Sequence, residues 1–195
     1  RTLNDVLMAG VTSALRRYLE AQGEPVDTLD VRAIVPVNLR PARRIEEMEA
    51  VLGNEFGLVF LPLPIHARDT EERITELKAN IDELKGSPEA VVAFSILTAE
   101  GMASATVEHL VNDVFAKKAS LVVSNVPGPK SELQFAGKPL KDVMFWVPHP
   151  IDFGLGISLI SYCGRVSIGV RSDTAIVEDP DVLLELLIEE FEALR

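Results

Sequence analysis

The sequence predicts an α/β fold, an α+β two-layer arrangement in which helices pack on a mixed β-sheet. Segments with the alternation of strands are interleaved with amphipathic helical segments along the whole chain. A hairpin late in the chain adds an antiparallel strand pair, which makes the sheet mixed. The length of 195 residues suits one domain, residues 1–195, and the sequence contains no internal repeat or low-complexity segment.

The predicted helices begin and end on residues with known capping preferences. Thr2 can cap the first helix, Leu3–Ala21, with Asp5 in the partner position of a capping box, and Gly23 is expected to close it. Asp179 as N-cap and Pro180 at the first helical position start the last helix. The other helices are predicted at Thr70–Lys85, at Ser104–Lys118 and at Val91–Met102, the last apolar enough to be buried.

The predicted strands are short apolar or alternating runs that end at turn residues. They cover Leu29–Asn38, Asn54–Leu63, Ala119–Val126, Phe153–Tyr162 and Arg165–Ser172. The charged stretch Arg40–Glu49 is expected to be a loop. Pro127-Gly128-Pro129 is typical of a tight turn, and Cys163-Gly164 is typical of a hairpin connection.

Composition excludes several classes of function. The net charge of −11 argues against nucleic acid as a partner, because phosphate contacts need clustered Lys and Arg. The apolar runs are far shorter than the ~18–20 residues that span a bilayer. A single cysteine, Cys163, allows neither an internal disulfide nor a cysteine metal cluster, so we expect a reducing, cytoplasmic setting. The chain starts at Arg1, directly before a capped helix, and we therefore expect it to be a fragment of a longer protein.

The three histidines are the natural candidates for a general base. His109 and Asp113 form an HxxxD pattern, but His109 falls about 200° around the helix from the apolar stripe, on the outward face. His149 lies in a Pro-flanked loop with no acid or nucleophile at a recognisable spacing, and His66 follows a strand and is expected to be exposed. The sequence therefore predicts no catalytic residue and no metal site in this chain.

Three short segments suggest a binding site. Asn4-Asp5 opens the first helix, Ser124-Asn125 ends a buried strand before Pro127, and Asp152-Phe-Gly-Leu-Gly156 allows close approach of another backbone. No G-x-S-x-G elbow, P-loop, HExxH or complete dinucleotide fingerprint is present. Each of the three segments also has a structural explanation in a cap, a turn or a strand, except that capping explains Asp5 and not Asn4.

An ordered set of segments resembles one protein family. The set is Leu3-Asn-Asp-Val-Leu-Met-Ala-Gly-Val11, Val35-Pro-Val-Asn-Leu-Arg40, Gly53-Asn54, Ser124-Asn-Val-Pro-Gly-Pro129 and Ser161-Tyr-Cys-Gly164. In this order they resemble the C-terminal domain of the wax ester synthase/acyl-CoA:diacylglycerol acyltransferase (WS/DGAT) family, over essentially the whole chain.

The resemblance implies a chloramphenicol-acetyltransferase-like architecture of two similar domains. An acyl-CoA donates its acyl group to a fatty alcohol or a diacylglycerol, with no further cofactor. In the family the general base is the second His of an HHxxxDG motif in the N-terminal domain. Glu108-His109, followed by Asp113-Val114, lacks both the first His and the Gly of that motif. By analogy, Asn4, Asp5, Ser124 and Asn125 would bind substrate, with Ser124 and Asn125 lining one cleft.

Three functions remain open at this point. The first is the C-terminal half of a wax ester- or triacylglycerol-forming acyltransferase, which works with the N-terminal domain of the same protein and is inactive alone. Such a protein could associate peripherally with a membrane or a neutral lipid inclusion. The second is a condensation-like binding or docking module, and the third is a hydrolase that uses His149.

Overall fold

The computed structural model describes residues 2–39, 56–100, 117–148 and 153–194. In these residues the chain forms helix α1 (Leu3–Ala21), strands β1 (Val31–Asn38) and β2 (Phe56–Leu63), helices α2 (Thr70–Gly86) and α3 (Glu89–Glu100), and strand β3 (Leu121–Pro127). A small hairpin, β4 (Gln134–Phe135) and β5 (Lys138–Pro139), precedes strands β6 (Leu155–Tyr162) and β7 (Arg165–Ser172). Helix α4 (Pro180–Ala193) follows.

Five of the described strands form one mixed sheet in the order β2-β1-β3-β6-β7. The three central strands, β1, β3 and β6, are parallel, and the outer strands β2 and β7 are antiparallel to their neighbours. The predicted α/β class with a mixed sheet is therefore confirmed. All three parallel strands place their carboxyl ends at the same edge of the sheet, which is where ligands bind in open α/β sheets.

The main core lies between one face of the sheet and helices α1, α2 and α4. Alternate residues of each strand enter it, as the two-residue period of a strand requires. The core includes Ala33, Leu61, Leu121, Val123, Ile157, Leu159, Leu183 and Leu187. A smaller cluster lies on the opposite face and contains Ile34, Val122, Val147 and Phe153.

The predicted local signals at the helix ends are confirmed. The Thr2 backbone N–H donates to Asp5 Oδ2 at 2.6 Å, and the Asp5 N–H donates to Thr2 Oγ1 at 3.3 Å. Gln22 is the C-cap of α1, and Gly23 follows it with the left-handed φ of 82° that closes many helices. Asp179 caps α4 and Pro180 begins it, as predicted.

Helix α3 differs from its prediction. It was expected to be buried, yet Val91 and Val92 are 57% and 53% exposed, and Ile96 is also exposed. The helix lies along the outer edge of β2, where Glu89 accepts a hydrogen bond from the Phe60 N–H at 3.2 Å. A helix that covers a strand edge contacts the sheet through a narrow stripe, so Val91, Val92 and Ile96 remain exposed.

Pro127-Gly128-Pro129 does not form the predicted tight turn. The chain continues in an extended form beside β6, where the Gly128 N–H donates to Ser161 Oγ at 3.2 Å and the Cys163 N–H donates to the Pro129 carbonyl at 3.1 Å. A Cβ on Gly128 would overlap the Ser161 carbonyl oxygen. The glycine is thus required by the close approach of two backbones.

Candidate functional site

An apolar groove lies beside the carboxyl ends of β1 and β3, on the face of the sheet that helices cover. It encloses about 390 Å³ and is bounded by the start of α1, the end of α2 and the start of α3. Its apolar lining includes Met8, Val35, Val59, Leu61, Ile81 and Leu84. Its polar residues are Asn4, Asn38, Lys85, Ser87 and Asn125. A mainly apolar concavity with a few polar groups is the usual form of a small-molecule site.

Two of the predicted site residues meet in this groove. Asn125 Nδ2 donates a hydrogen bond to Asn4 Oδ1 at 2.9 Å, although 121 residues separate them in sequence. Both side chains are half-buried. Asn4 lies in the first turn of α1, and Asn125 lies near the carboxyl end of β3 on the same face as Val123.

The amide pair keeps capacity for a further polar group. Each asparagine amide offers two N–H donors and two acceptor lone pairs. Within the described residues, the bond between Asn4 and Asn125 uses one donor and one acceptor of that set. The pair can therefore hold a carbonyl or hydroxyl group of a ligand while the apolar walls contact its hydrocarbon part.

Ser124 lies on the opposite face of the sheet from Asn125, because successive residues of a strand point to opposite faces. It is 8% exposed and is paired in register with Ser158. The groove contains Asn125 and not Ser124, so the expectation that the two residues line one cleft stays a prediction. A substrate-binding role for Ser124 stays a prediction that this groove does not support.

Asp5 is buried beside Asn4 but does not line the groove. It is 2% exposed, and its carboxylate accepts the Thr2 N–H in the capping box. A carboxylate in the first turn also interacts favourably with the helix dipole. Its predicted contact with substrate stays a prediction, and the cap accounts for the residue by itself.

The contribution of β1 and α2 to the groove is not apparent from the sequence. Residues 35–39, part of a segment that carried the family resemblance, line it, as does Lys85 at the end of α2. Lys85 forms a 3.4 Å ion pair with Asp82 and is the charged residue among those that line the groove. The strand alternation of Val35-Pro-Val-Asn38 indicated burial, but it could not show which helix would face the strand.

The described residues that line the groove include no acid–base or nucleophilic pair. No His, Cys, Asp or Glu is among them, and the Ser87 hydroxyl donates to the Leu84 carbonyl and accepts the Glu89 N–H. His66 is exposed, as predicted, and lies 3.2 Å from Glu76. His109 and His149 lie outside the described residues. In the described part of the chain, the groove can bind and orient a ligand but supplies no general base.

The glycine-containing segment before β6 has a packing role in its described part. A Cβ on Gly154 would overlap the side chain of Ile176, and the Gly154 carbonyl accepts the Asp173 N–H at 2.9 Å. Asp152 lies outside the described residues. The absent side chain therefore lets the loop after β7 pack closely against the start of β6.

Known proteins with similar sequences are acyltransferases by name. The chain is 30% identical over 219 residues to wax ester synthase/diacylglycerol acyltransferase 11 of Arabidopsis thaliana, covering 100% of the chain and 44% of that protein. It is 30% identical over 187 residues to a putative diacylglycerol O-acyltransferase of Mycobacterium tuberculosis, covering 95% of the chain and 36% of that protein. The chain thus spans under half the length of these relatives.

Two solved structures have a fold similar to that of this chain. A wax ester synthase/diacylglycerol acyltransferase from Marinobacter aquaeolei superposes with a TM-score of 0.67 at 25% identity, over 99% of this chain and 43% of that one. The starter condensation domain of rhizomide synthetase superposes with a TM-score of 0.59 at 12% identity, over 100% and 42% of the two chains, and shows the fold alone. No helix in the described ranges has the length and apolarity needed to cross a membrane.

The sequence of the domain itself matches a family model. The model is described as the WS/DGAT C-terminal domain, and it matches residues 52–195. The match covers most of the chain and includes three of the five segments on which the resemblance rests, and the relative from Arabidopsis thaliana covers the whole chain. The family resemblance is therefore confirmed. The chain therefore belongs to the WS/DGAT C-terminal domain family.

Proposed function

We propose that this chain is the C-terminal half of an acyl-CoA-dependent O-acyltransferase that makes wax esters or triacylglycerol. The acceptor is a fatty alcohol or a diacylglycerol, and the chain acts together with the N-terminal domain of the same protein. The observation that carries the proposal is the apolar groove with the paired amides of Asn4 and Asn125 at the carboxyl edge of the sheet. Family membership favours this function over that of a condensation-like docking module.

The groove suits the hydrocarbon part of either substrate. Its volume of about 390 Å³ lies within the range of ligand pockets, and its lining is mostly aliphatic. Each methylene removed from water contributes about 0.8 kcal/mol, or about fourfold in binding. The groove can therefore discriminate between acyl or alkyl chains of different length, while the amide pair orients a polar group near its end.

Catalysis in this proposal is divided between the two halves. The general base takes the proton of the acceptor hydroxyl as its oxygen attacks the thioester carbonyl. The C–S bond then breaks, and the protonated base gives this proton to the departing sulfur, so that coenzyme A leaves as the thiol. In this proposal the base comes from the N-terminal domain, in line with the family resemblance, and the described residues of the groove include no histidine or carboxylate. Because the acceptors are apolar, we propose that the whole protein is cytoplasmic and acts peripherally at the surface of a membrane or a lipid inclusion.

Two neighbouring residues on α3 provide a matched test. Val91 lines the groove and Val92 does not, although the two are 57% and 53% exposed. In the full-length protein, Val91→Trp narrows the groove, so kcat/KM is expected to fall by about tenfold for a long-chain acyl-CoA or acceptor. Val92→Trp should leave kcat/KM unchanged. For a short-chain substrate, Val91→Trp should reduce kcat/KM by a smaller factor.

Two results would count against the proposal. One is an equal effect of the two tryptophan variants on long and short substrates. The other is undiminished acyl transfer by the N-terminal domain without this chain, measured with a long-chain alcohol as acceptor. Circular dichroism of both variants separates loss of folding from loss of binding.

A further inference from the structure

A second concavity lies at the opposite end of the parallel strands from the groove. It also encloses about 390 Å³, and its lining comes from the start of β1 and from the residues just before β3. The residues that line it are Asp30, Arg32, Lys117, Lys118, Ala119 and Ser120. Because β1 and β3 are parallel neighbours, with Ala33 beside Leu121, their amino-terminal ends lie side by side. We call this concavity the basic pocket.

The basic pocket concentrates positive charge in an acidic protein. Three cations, Arg32, Lys117 and Lys118, face one carboxylate, that of Asp30, whereas the whole chain has a net charge of −11. Lys117 and Lys118 form no ion pair with a carboxylate in the described part of the chain. Because Asp30 offsets the charge of Arg32, the like charges of Lys117 and Lys118 are left to repel each other unless a further anion offsets them.

Contacts hold two of the three cations, Arg32 and Lys118, in place. Arg32 donates from Nε and Nη2 to the two carboxylate oxygens of Asp30 at 3.1 and 2.7 Å, and these bonds raise the pKa of Arg32. Lys118 Nζ lies 5.6 Å from the centre of the Phe60 ring, within the range of a cation–π contact. The Ser120 N–H donates to the Arg32 carbonyl at 2.8 Å. This bond holds the residues before β3 against the start of β1, which are the two sides of the pocket.

We propose that the basic pocket binds the phosphate group of a ligand. The lysine ammonium groups are its main donors, since Asp30 already occupies the guanidinium edge of Arg32 and would repel an anion placed there. The Ser120 hydroxyl adds a neutral donor at the rim. A phosphate monoester with a charge near −2 matches the excess of two positive charges in the pocket. The site is separate from the groove and does not depend on the function proposed for it.

The phosphate could belong to a small soluble molecule or to a lipid headgroup, and binding assays with this chain distinguish the two. Coenzyme A is compared with dephospho-coenzyme A, which lacks only the 3′-phosphate, by calorimetric titration. Phosphatidylcholine vesicles with and without phosphatidic acid are compared by co-sedimentation. Preference for coenzyme A over the dephospho form indicates a soluble phosphomonoester, and a requirement for phosphatidic acid indicates a headgroup.

Variants of the pocket lysines test whether the basic pocket is responsible for the phosphate-dependent binding. Lys117→Gln with Lys118→Gln should weaken the phosphate-dependent binding by about tenfold or more, since contacts to charged groups are lost. The matched control, Lys138→Gln with Lys141→Gln, removes the same charge from exposed sites on and after the small hairpin and should change it less than twofold. Lys117→Arg with Lys118→Arg should retain it, and added salt should weaken it.

The proposal is overturned by either of two results. In one, neither phosphate probe binds better than its phosphate-free counterpart. In the other, the pocket and control double variants lose binding equally, which would indicate attraction by total charge alone. Thermal unfolding of each variant establishes that it is folded before binding is compared.

Discussion

The hydrogen bond between Asn4 and Asn125 joins the first turn of α1 to the end of β3, and a double-mutant cycle can measure it. The two amides lie 2.9 Å apart and are half-buried. Each is replaced by Ala singly and together in this chain. The coupling energy is the change in the free energy of unfolding caused by the double variant, minus the sum of the changes caused by the two single variants.

The expected magnitude follows from the type and position of the bond. A neutral hydrogen bond contributes about 0.5–1.5 kcal/mol to stability, and half-burial lets water reach the amide that is left unpaired. Ala is a better helix former than Asn by about 0.5 kcal/mol, which offsets part of the loss at Asn4 in α1. We therefore expect a loss of about 0.5 kcal/mol for Asn4→Ala, about 1 kcal/mol for Asn125→Ala, and a coupling near 1 kcal/mol.

Urea unfolding followed by circular dichroism gives the four free energies of the cycle. A parallel cycle that combines Asn125→Ala with Thr28→Ala is the control, because Thr28 bonds the Pro25 carbonyl near the opposite end of the sheet. The control cycle should be additive to within about 0.3–0.5 kcal/mol. If the Asn4–Asn125 cycle is equally additive, the two amides do not interact and the polar end of the groove is not preorganised as described.

Three other perturbations address the core, the opposite sheet face and the dependence on pH. Leu187→Ala, at a fully buried position, should cost about 2–5 kcal/mol in urea unfolding, whereas Ile188→Ala, beside it but 45% exposed, should cost far less. Ser158→Ala removes the oxygen that accepts the buried Val147 N–H at 2.6 Å, so stability should fall by about 1–3 kcal/mol and that amide should exchange faster with deuterium. Hydrogen bonds from Arg68 and Arg16 lower the pKa of Asp27 from its ordinary value of 3.8. The stabilisation of the fold by the Asp27 carboxylate is therefore fully present above pH 3.8 and is lost as the pH falls through the lower folded-state pKa. Asp27→Asn should therefore be less stable than the wild type near pH ~6, with a difference that shrinks towards pH ~2, as thermal unfolding across that range would reveal.

Features specified by neighbouring residues were predictable from the sequence. The capping box of Thr2 and Asp5 needs residues three positions apart, and the Cys163-Gly164 connection needs two residues with positive φ, observed at 47° and 78°. The start of α4 at Asp179 depends likewise on a cap and a proline beside each other. In each case the physical cause lies within one turn of the chain, so tertiary packing had little opportunity to override it.

Features that depend on distant partners were not predictable in the same way. The apolar sequence of α3 indicates burial, but its exposure depends on the strand edge against which it packs. Pro127-Gly128-Pro129 has the composition of a turn, yet the neighbouring β6 offers Ser161 as a hydrogen-bond partner and keeps the segment extended. Local composition is thus overridden where a long-range backbone contact is available.

The candidate site illustrates the same division at the level of single residues. Ser124 and Asn125 are equivalent in the sequence, as two hydrogen-bonding residues at the end of one strand. Only the pairing of β3 between β1 and β6, together with the helices on one face, assigns Asn125 to the groove and Ser124 to the other side. Asn4 then becomes significant because α1 begins beside Asn125, a relation across 121 residues that no local pattern encodes. The hydrogen bond between Asn4 and Asn125 therefore follows from sheet order and strand alternation together. A one-residue slip of β3 would remove Asn125 from the groove and break this bond.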